Sequence, residues 1–145
     1  MTQSERPKLD RDALHEYIQY SPFNRLLGMK GELAKDGRCV LTLEVRQEHV
    51  GDPTRPALHG GVVSSLADTA GGFAAWSAVG EGESVSTMDL LVDYLEPGRL
   101  AGPLRAEAEV LRKGSRVCHT RMRVTQDGIV VAEARGIYSI HRRSK

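Results

Sequence analysis

Cysteine is nearly absent from this chain of 145 residues, and the two it has, Cys39 and Cys118, fall in separate strand-like segments with no metal-ligand spacing. Neither a disulfide scaffold nor a thiolate metal site follows from them. Charge of one sign is missing too: 20 Lys and Arg face 19 Asp and Glu, a formal net charge of +1. Nothing in that balance calls for nucleic acid or a membrane surface as a partner. The longest apolar stretch, Val62 to Val79, is broken by Ser64, Ser65, Asp68, Gly71 and Gly72, which disqualifies it as a membrane span. The opening residues, MTQSERPKLDRDALHEY, lack the apolar core of a signal peptide, so a reduced cytoplasm is the expected compartment. His15, His49, His119 and His141 form neither an i, i+4 pair nor an HExxH pattern, and there is no Gly-x-Ser-x-Gly elbow or P-loop. These absences argue against a metal site, a serine hydrolase and a nucleotide phosphatase; no metal or cofactor is expected.

What is present suits one domain, residues 1–145, with the polar ends 1–8 and 142–145 expected to fray. Leu14, Tyr17 and Ile18 recur at helical spacing, predicting a short amphipathic helix over Leu9 to Tyr20 that stops before Pro22. Gly28 to Ala34 and Cys39 to Val45 flank Asp36-Gly37, a strong hairpin signal. After a loop of turn formers (Gly51 to Pro56), the run from Gly60 to Val79 is apolar on nearly every helical face and predicts an enclosed helix. The rest alternates with period two: Met88, Leu90, Val92, Tyr94; Leu104 to Val110; Cys118 to Val124; Val130 to Ile140. Lys113 to Arg116 and Gln126-Asp127-Gly128 connect the last three strands as an antiparallel meander. The predicted class is α+β, a curved antiparallel sheet of five or six strands wrapped around one long helix, since a flat sheet covers only one side of it. Arg105, Glu107, Glu109, Arg121, Arg123, Glu133 and Arg135 occupy the alternate positions, as on a solvated outer face or along a ligand groove.

His59-Gly60-Gly61 at the start of that helix, with Asp68 nine residues after the histidine, is the feature that points to chemistry. A glycine pair opening a helix leaves backbone N–H groups bare, and the dipole there favours developing negative charge. Asp68 is flanked by Leu66, Ala67, Ala70 and Phe73, where an idle carboxylate is costly. Plainer roles remain for each: a cap or loop tie for His59 in place of direct proton transfer in catalysis, a tight turn for the glycines, a structural acid for Asp68. Gly71 and Gly72 cost about 1 kcal/mol each in a helix interior relative to Ala. They imply close packing against a second helix, or room for a ligand, and Phe73, Trp76 and Met88 are either core or the lining of a ligand pocket.

The segments His59-Gly60-Gly61, Leu66-Ala67-Asp68-Thr69-Ala70, Ser86-Thr87-Met88-Asp89-Leu90 and Val92-Asp93-Tyr94-Leu95-Glu96-Pro97-Gly98 resemble the hotdog-fold acyl-CoA thioesterases of the phenylacetate-degradation type. The likeness runs from about Ser21 to Ile140. It implies a homodimer or dimer of dimers with coenzyme A thioester sites at the subunit interface. On this likeness Asp68 is the acid on the central helix, Gly60 the oxyanion donor, and Thr87 the hydroxyl residue of the next strand, with Ser86 as its neighbouring alternative. Many members carry an Asn six residues before the histidine; that position is Pro53 here, and the nearest polar residue, Asp52, cannot donate as an amide does. Arg112, Lys113, Gly114, Ser115 and Arg116 form a basic turn suited to the nucleotide phosphates, or else a plain solvated hairpin tip.

Between Gly61 and Asp68 a helix rises roughly 10 Å, whereas reacting atoms must approach to about 3 Å. If Gly60, with Gly61 beside it, and Asp68 serve one carbonyl, they come from two chains, and a symmetric dimer with two shared sites is expected. Two rivals to thioester hydrolysis remain: a hydratase or dehydratase of the same fold, and a non-catalytic acyl-CoA-binding module.

Overall fold

Asp36 and Gly37 both take positive φ, 51° and 79°, the pair of left-handed residues whose twist lets a two-residue turn join two strands. Asp127 and Gly128 repeat the device at 49° and 78°. Around these turns the computed structural model describes the backbone over residues 11–142, and side chains from residue 13 onward. The elements are α1 (Arg11–Tyr20), α2 (Pro22–Leu27), β1 (Met29–Lys35), β2 (Arg38–Leu43), β3 (Val50–Asp52), β4 (Ala57–Leu58), α3 (Gly60–Ala78), β5 (Glu83–Tyr94), β6 (Leu104–Lys113), β7 (Val117–Gln126) and β8 (Ile129–Arg142). The expected frayed ends lie outside the described residues, except Arg142, which closes β8 and ion-pairs with Glu83.

Six strands form one antiparallel sheet in the order β1-β2-β6-β7-β8-β5, and α3 packs across it, chiefly on β6, β2, β7 and β5. This is the hotdog architecture expected from the sequence. Alternation sorts the faces: Leu104, Ala106 and Ala108 of β6, Cys118, Thr120, Met122 and Val124 of β7, and Ala132, Ala134 and Tyr138 of β8 are buried toward the helix. On the other face Arg105 pairs with Glu32 and Glu107, Arg121 with Glu109, and Arg123 with Glu133. Those charges neutralise one another across the strands, which accounts for them as a solvated face.

Three elements depart from the expectation. A second helix, α2, follows the first: the Ser21 hydroxyl accepts from Asn24 N–H, Pro22 occupies the first turn and Gly28 closes it at φ 78°. The turn-rich loop contains the small β3–β4 pair. In β5 the register jumps between Thr87 and Asp89; a bulge there throws Met88 out of the expected apolar rhythm, leaving it 63 % exposed, while Leu90 and Val92 still pack on the core.

The helix itself is less enclosed than its composition predicts. Val62, Val63, Leu66, Ala67, Ala70, Gly71, Ala74 and Ala75 are buried, but Gly61, Ser65, Asp68, Thr69, Gly72, Phe73 and Trp76 form a half-buried stripe. Among the described residues the sheet ends at β5, which pairs only with β8, so no further strand covers that side. Part of the stripe is shielded by α1, whose Leu14 and Ile18 sit on β1 over Gly31; a Cβ at Gly31 would come within 2.8 Å of both side chains. Tyr17 of α1 stacks on Trp76 at 4.8 Å and meets Phe73 edge-on at 5.7 Å.

Candidate active site

Helix α3 begins with a cap. His59, extended at φ −61° and ψ 129°, accepts the Gly61 N–H on its ring Nδ1 at 2.8 Å. Its own N–H donates to the His49 carbonyl at 2.8 Å, tying the helix start to the preceding loop. The histidine therefore does structural work, and the Gly61 amide, expected to face substrate, is already engaged within the chain. Gly60 differs: it is the first residue of the helix, so its N–H has no preceding turn to bond. Tyr94 from the end of β5 lies against it, donating its hydroxyl to the Gly60 carbonyl at 3.0 Å. A mostly apolar groove of about 280 Å³ opens there, bordered by Leu58, Gly60, Val63, Tyr94 and Pro97.

His49 supports this start from below. It is 2 % exposed and accepts the Arg46 N–H on Nδ1 at 3.1 Å. Burial, then the neighbouring Arg46 cation, pushes its pKa below the usual histidine range.

Two turns along α3, Asp68 lies on the half-buried stripe beside β5. It is not sealed in apolar core, as its sequence neighbours suggest: Leu66, Ala67 and Ala70 are buried on the sheet side, while Asp68 lies on the half-buried stripe with Phe73. The Thr87 hydroxyl donates to its Oδ1 at 2.8 Å. A second donor comes from a residue not singled out in the sequence: the Tyr138 hydroxyl lies 2.9 Å from the Asp68 carbonyl and 3.1 Å from Oδ1. Tyr138 reads from the chain as one more apolar strand position, and only the phenol's reach to α3 reveals it. Oδ2 accepts no hydrogen bond from the described residues. The outcome is a carboxylate with one oxygen held by two hydroxyls and the other open.

The remaining expected residues divide. Ser86 is not brought to Asp68; strand alternation turns it to the other face of β5, where its hydroxyl is 2.7 Å from His141 Nε2. Asp52 is bound within its own loop, accepting from Thr54 N–H and hydroxyl on Oδ1 and from Arg55 Nε on Oδ2. The Thr54 hydroxyl and Arg55 hold its pKa below the ordinary carboxylate value, so it stays an acceptor only. Arg112, Lys113, Ser115 and Arg116 are exposed at the β6–β7 turn, whereas Gly114 spends its N–H on Val117 O at 2.8 Å. That turn lies at the end of the sheet where α3 stops, since the adjacent Gly37 bonds both Ser77 and Val110. Gly71 also receives a different reason: a Cβ there would run into the Tyr138 hydroxyl and approach Met122 Sδ to 2.8 Å. Its partner is a strand tyrosine, not a second helix. Among the described residues, no three of His, Cys, Asp and Glu converge as a metal site, and no helix is long and apolar enough to cross a membrane.

A model of the thioesterase superfamily matches residues 56–133, which hold the helix, Asp68 and Thr87. A medium/long-chain acyl-CoA thioesterase from Salmonella typhimurium is 30% identical over 138 residues, 86% of this chain and 88% of that protein. Among solved structures, a thioesterase-superfamily protein at 35% identity superposes with a TM-score of 0.82, covering 90% of this chain and 98% of the other. A hypothetical thioesterase from Streptococcus pneumoniae, solved with coenzyme A, has the same fold at TM-score 0.76 and 23% identity, covering 89% and 98%. The chain belongs to the thioesterase superfamily and is a thioester hydrolase of the hotdog fold.

Proposed function

We propose that this protein hydrolyses acyl-CoA thioesters to free acid and coenzyme A at two equivalent sites shared across a symmetric homodimer, alone or within a dimer of dimers. The observation that carries the reading is Asp68, with Oδ1 held by hydroxyls and Oδ2 open toward the uncovered side of α3. Support for the dimer comes from the same side. β5 is an edge strand whose Met88, Leu91 and Tyr94 are exposed, and an apolar edge invites a second sheet. Pairing two such edges about a twofold axis lays the open stripes of two α3 helices side by side and antiparallel.

In each site the thioester carbonyl accepts from the partner's Gly60 N–H, while Asp68 stands at the acyl carbon. By one route Oδ2 takes a proton from water as the water oxygen attacks; the tetrahedral oxyanion is held by the amide and the helix dipole. The C–S bond then breaks and the proton passes from Asp68 to the coenzyme A sulfur. By the other route Oδ2 attacks the carbon itself and the C–S bond breaks to expel the coenzyme A thiolate; water then opens the resulting anhydride, which frees the acid, restores the Asp68 carboxylate and leaves a proton for the thiolate. The exposed Arg112, Lys113 and Arg116 would take the nucleotide phosphates, and the apolar groove beside Gly60 has room for part of the acyl chain or pantetheine arm. The Salmonella relative's name makes medium and long acyl chains the first to try.

A colorimetric screen for free thiol across aromatic, short and long acyl-CoAs tests this. Wild-type protein should release thiol, and Asp68→Asn should lose about 10²- to 10⁴-fold in turnover. Tight binding without thiol release would favour a binding module, and water addition to an unsaturated ester would favour a hydratase.

A further inference from the structure

We infer that Tyr138 is a positioning residue for the reaction: together with Thr87 it pins Oδ1 of Asp68, so that Oδ2 is the oxygen presented to substrate. This rests on the proposed role of Asp68. Tyr138 is 1 % exposed and projects from β8 across the core to α3. Its hydroxyl meets Asp68 twice, at the backbone carbonyl (2.9 Å) and at Oδ1 (3.1 Å). Space for that phenol is cleared on two elements. A Cβ at Gly136 would come 2.6 Å from Tyr138 Cε2 and 2.9 Å from its hydroxyl, and a Cβ at Gly71 would strike the hydroxyl from the helix side.

A phenylalanine would fill the same volume, so packing alone gives no reason for the hydroxyl. A buried hydroxyl needs an acceptor, and here one of the two it reaches is the reacting carboxylate. Burial, then the neighbouring carboxylate, raises the phenol's pKa above its ordinary value, so it remains a donor. Both routes convert Oδ1 into a carbonyl oxygen, as Oδ2 gains either a proton or the acyl carbon. Oδ1 stays an acceptor throughout, and neither hydroxyl must turn during the reaction. Thr87 is exposed on the edge strand, whereas Tyr138 is anchored in the sheet and shares its one O–H between the Asp68 carbonyl and Oδ1.

The test is Tyr138→Phe in the full-length protein, assayed by thiol release. Turnover should fall about tenfold to a hundredfold, the worth of one hydrogen bond to a charged group. KM for the same acyl-CoA should stay within about threefold, and the acid limb of the kcat/KM profile should move to higher pH, because a hydroxyl donor favours the charged form of its acceptor. Unchanged turnover and pH profile, with only a lower melting temperature, would reduce Tyr138 to packing and overturn the inference alone. Full activity in Asp68→Asn would instead bring down the reading beneath it. If Tyr138→Phe does not fold, tyrosine labelled with ¹³C at Cζ answers in its place: the Tyr138 resonance should shift on Asp68→Asn, and an unmoved signal refutes the contact.

Discussion

Mixed dimers test most directly whether one site draws on two chains. Two disabled variants are needed, one lacking the carboxylate and one lacking the oxyanion donor. Asp68→Asn keeps an oxygen that Thr87 and Tyr138 can still bond, but offers an amide nitrogen where Oδ2 stood, with no lone pair to take a proton. Gly60→Pro removes the N–H and adds a pyrrolidine ring. Proline is accommodated at the first position of a helix, and His59 already has the extended backbone, φ −61° and ψ 129°, that a residue before proline requires. The nearest obstacle is the Tyr94 ring, 3.3 Å from a Cβ at Gly60 and hydrogen-bonded to the Gly60 carbonyl, which must shift by a few tenths of an ångström. Each variant alone should lose at least about 10²-fold in turnover.

Co-expressed at equal level with different tags, the two chains assort so that about half of the dimers are mixed. If Asp68 works with the partner's Gly60, one of the two sites in every mixed dimer carries both native groups, so activity should recover to about a quarter of wild type in the whole mixture and about half in the purified mixed dimers. If Asp68 and Gly60 of one chain share a site, both sites of a mixed dimer are broken and recovery is nil. Thiol release from the doubly tagged fraction reads the difference. No recovery there, with folded mixed dimers in hand, would refute the shared site, as would a competent monomer at assay concentration in sedimentation.

Other substitutions separate the remaining parts. Arg112→Ala with Arg116→Ala should raise KM for an acyl-CoA while leaving a short thioester without the nucleotide unaffected; equal changes in both would remove the phosphate assignment. Because the His49 pKa is lowered in the fold, the unfolded chain binds the proton first as pH drops. Stability should therefore decline from about pH 6.5 down to the lowered value and then level off, and His49→Gln should flatten that slope in denaturant melts; an unchanged slope would clear His49. Gly71→Ala should destabilise by about 1–3 kcal/mol through overpacking against Tyr138 and Met122, read as a lower melting temperature; an unchanged one would mean the phenol yields freely.

Local signals were strong in this chain. Asp36-Gly37 and Asp127-Gly128 could be read as turns because only residues tolerating positive φ serve there, and period-two runs identified β6, β7 and β8 because one face is core and the other water. The diglycine and a lone acid in an apolar helix were equally legible, since each is costly without a use. Met88 was not, because a one-residue bulge in β5 reverses which way a side chain points without leaving a mark in the composition.

Sequence by itself thus determined the order of the six sheet strands and of the long helix that carries Asp68, with a glycine pair at its start. Tertiary structure decided the rest, because hydrogen bonds between side chains depend on which strands become neighbours. Folding carries Tyr138 across 70 residues of chain to Oδ1, engages the Gly61 amide with the His59 ring and turns Ser86 away toward His141. Among the described residues it also ends the sheet at β5, which leaves Asp68 on a half-buried stripe of α3 that no strand covers.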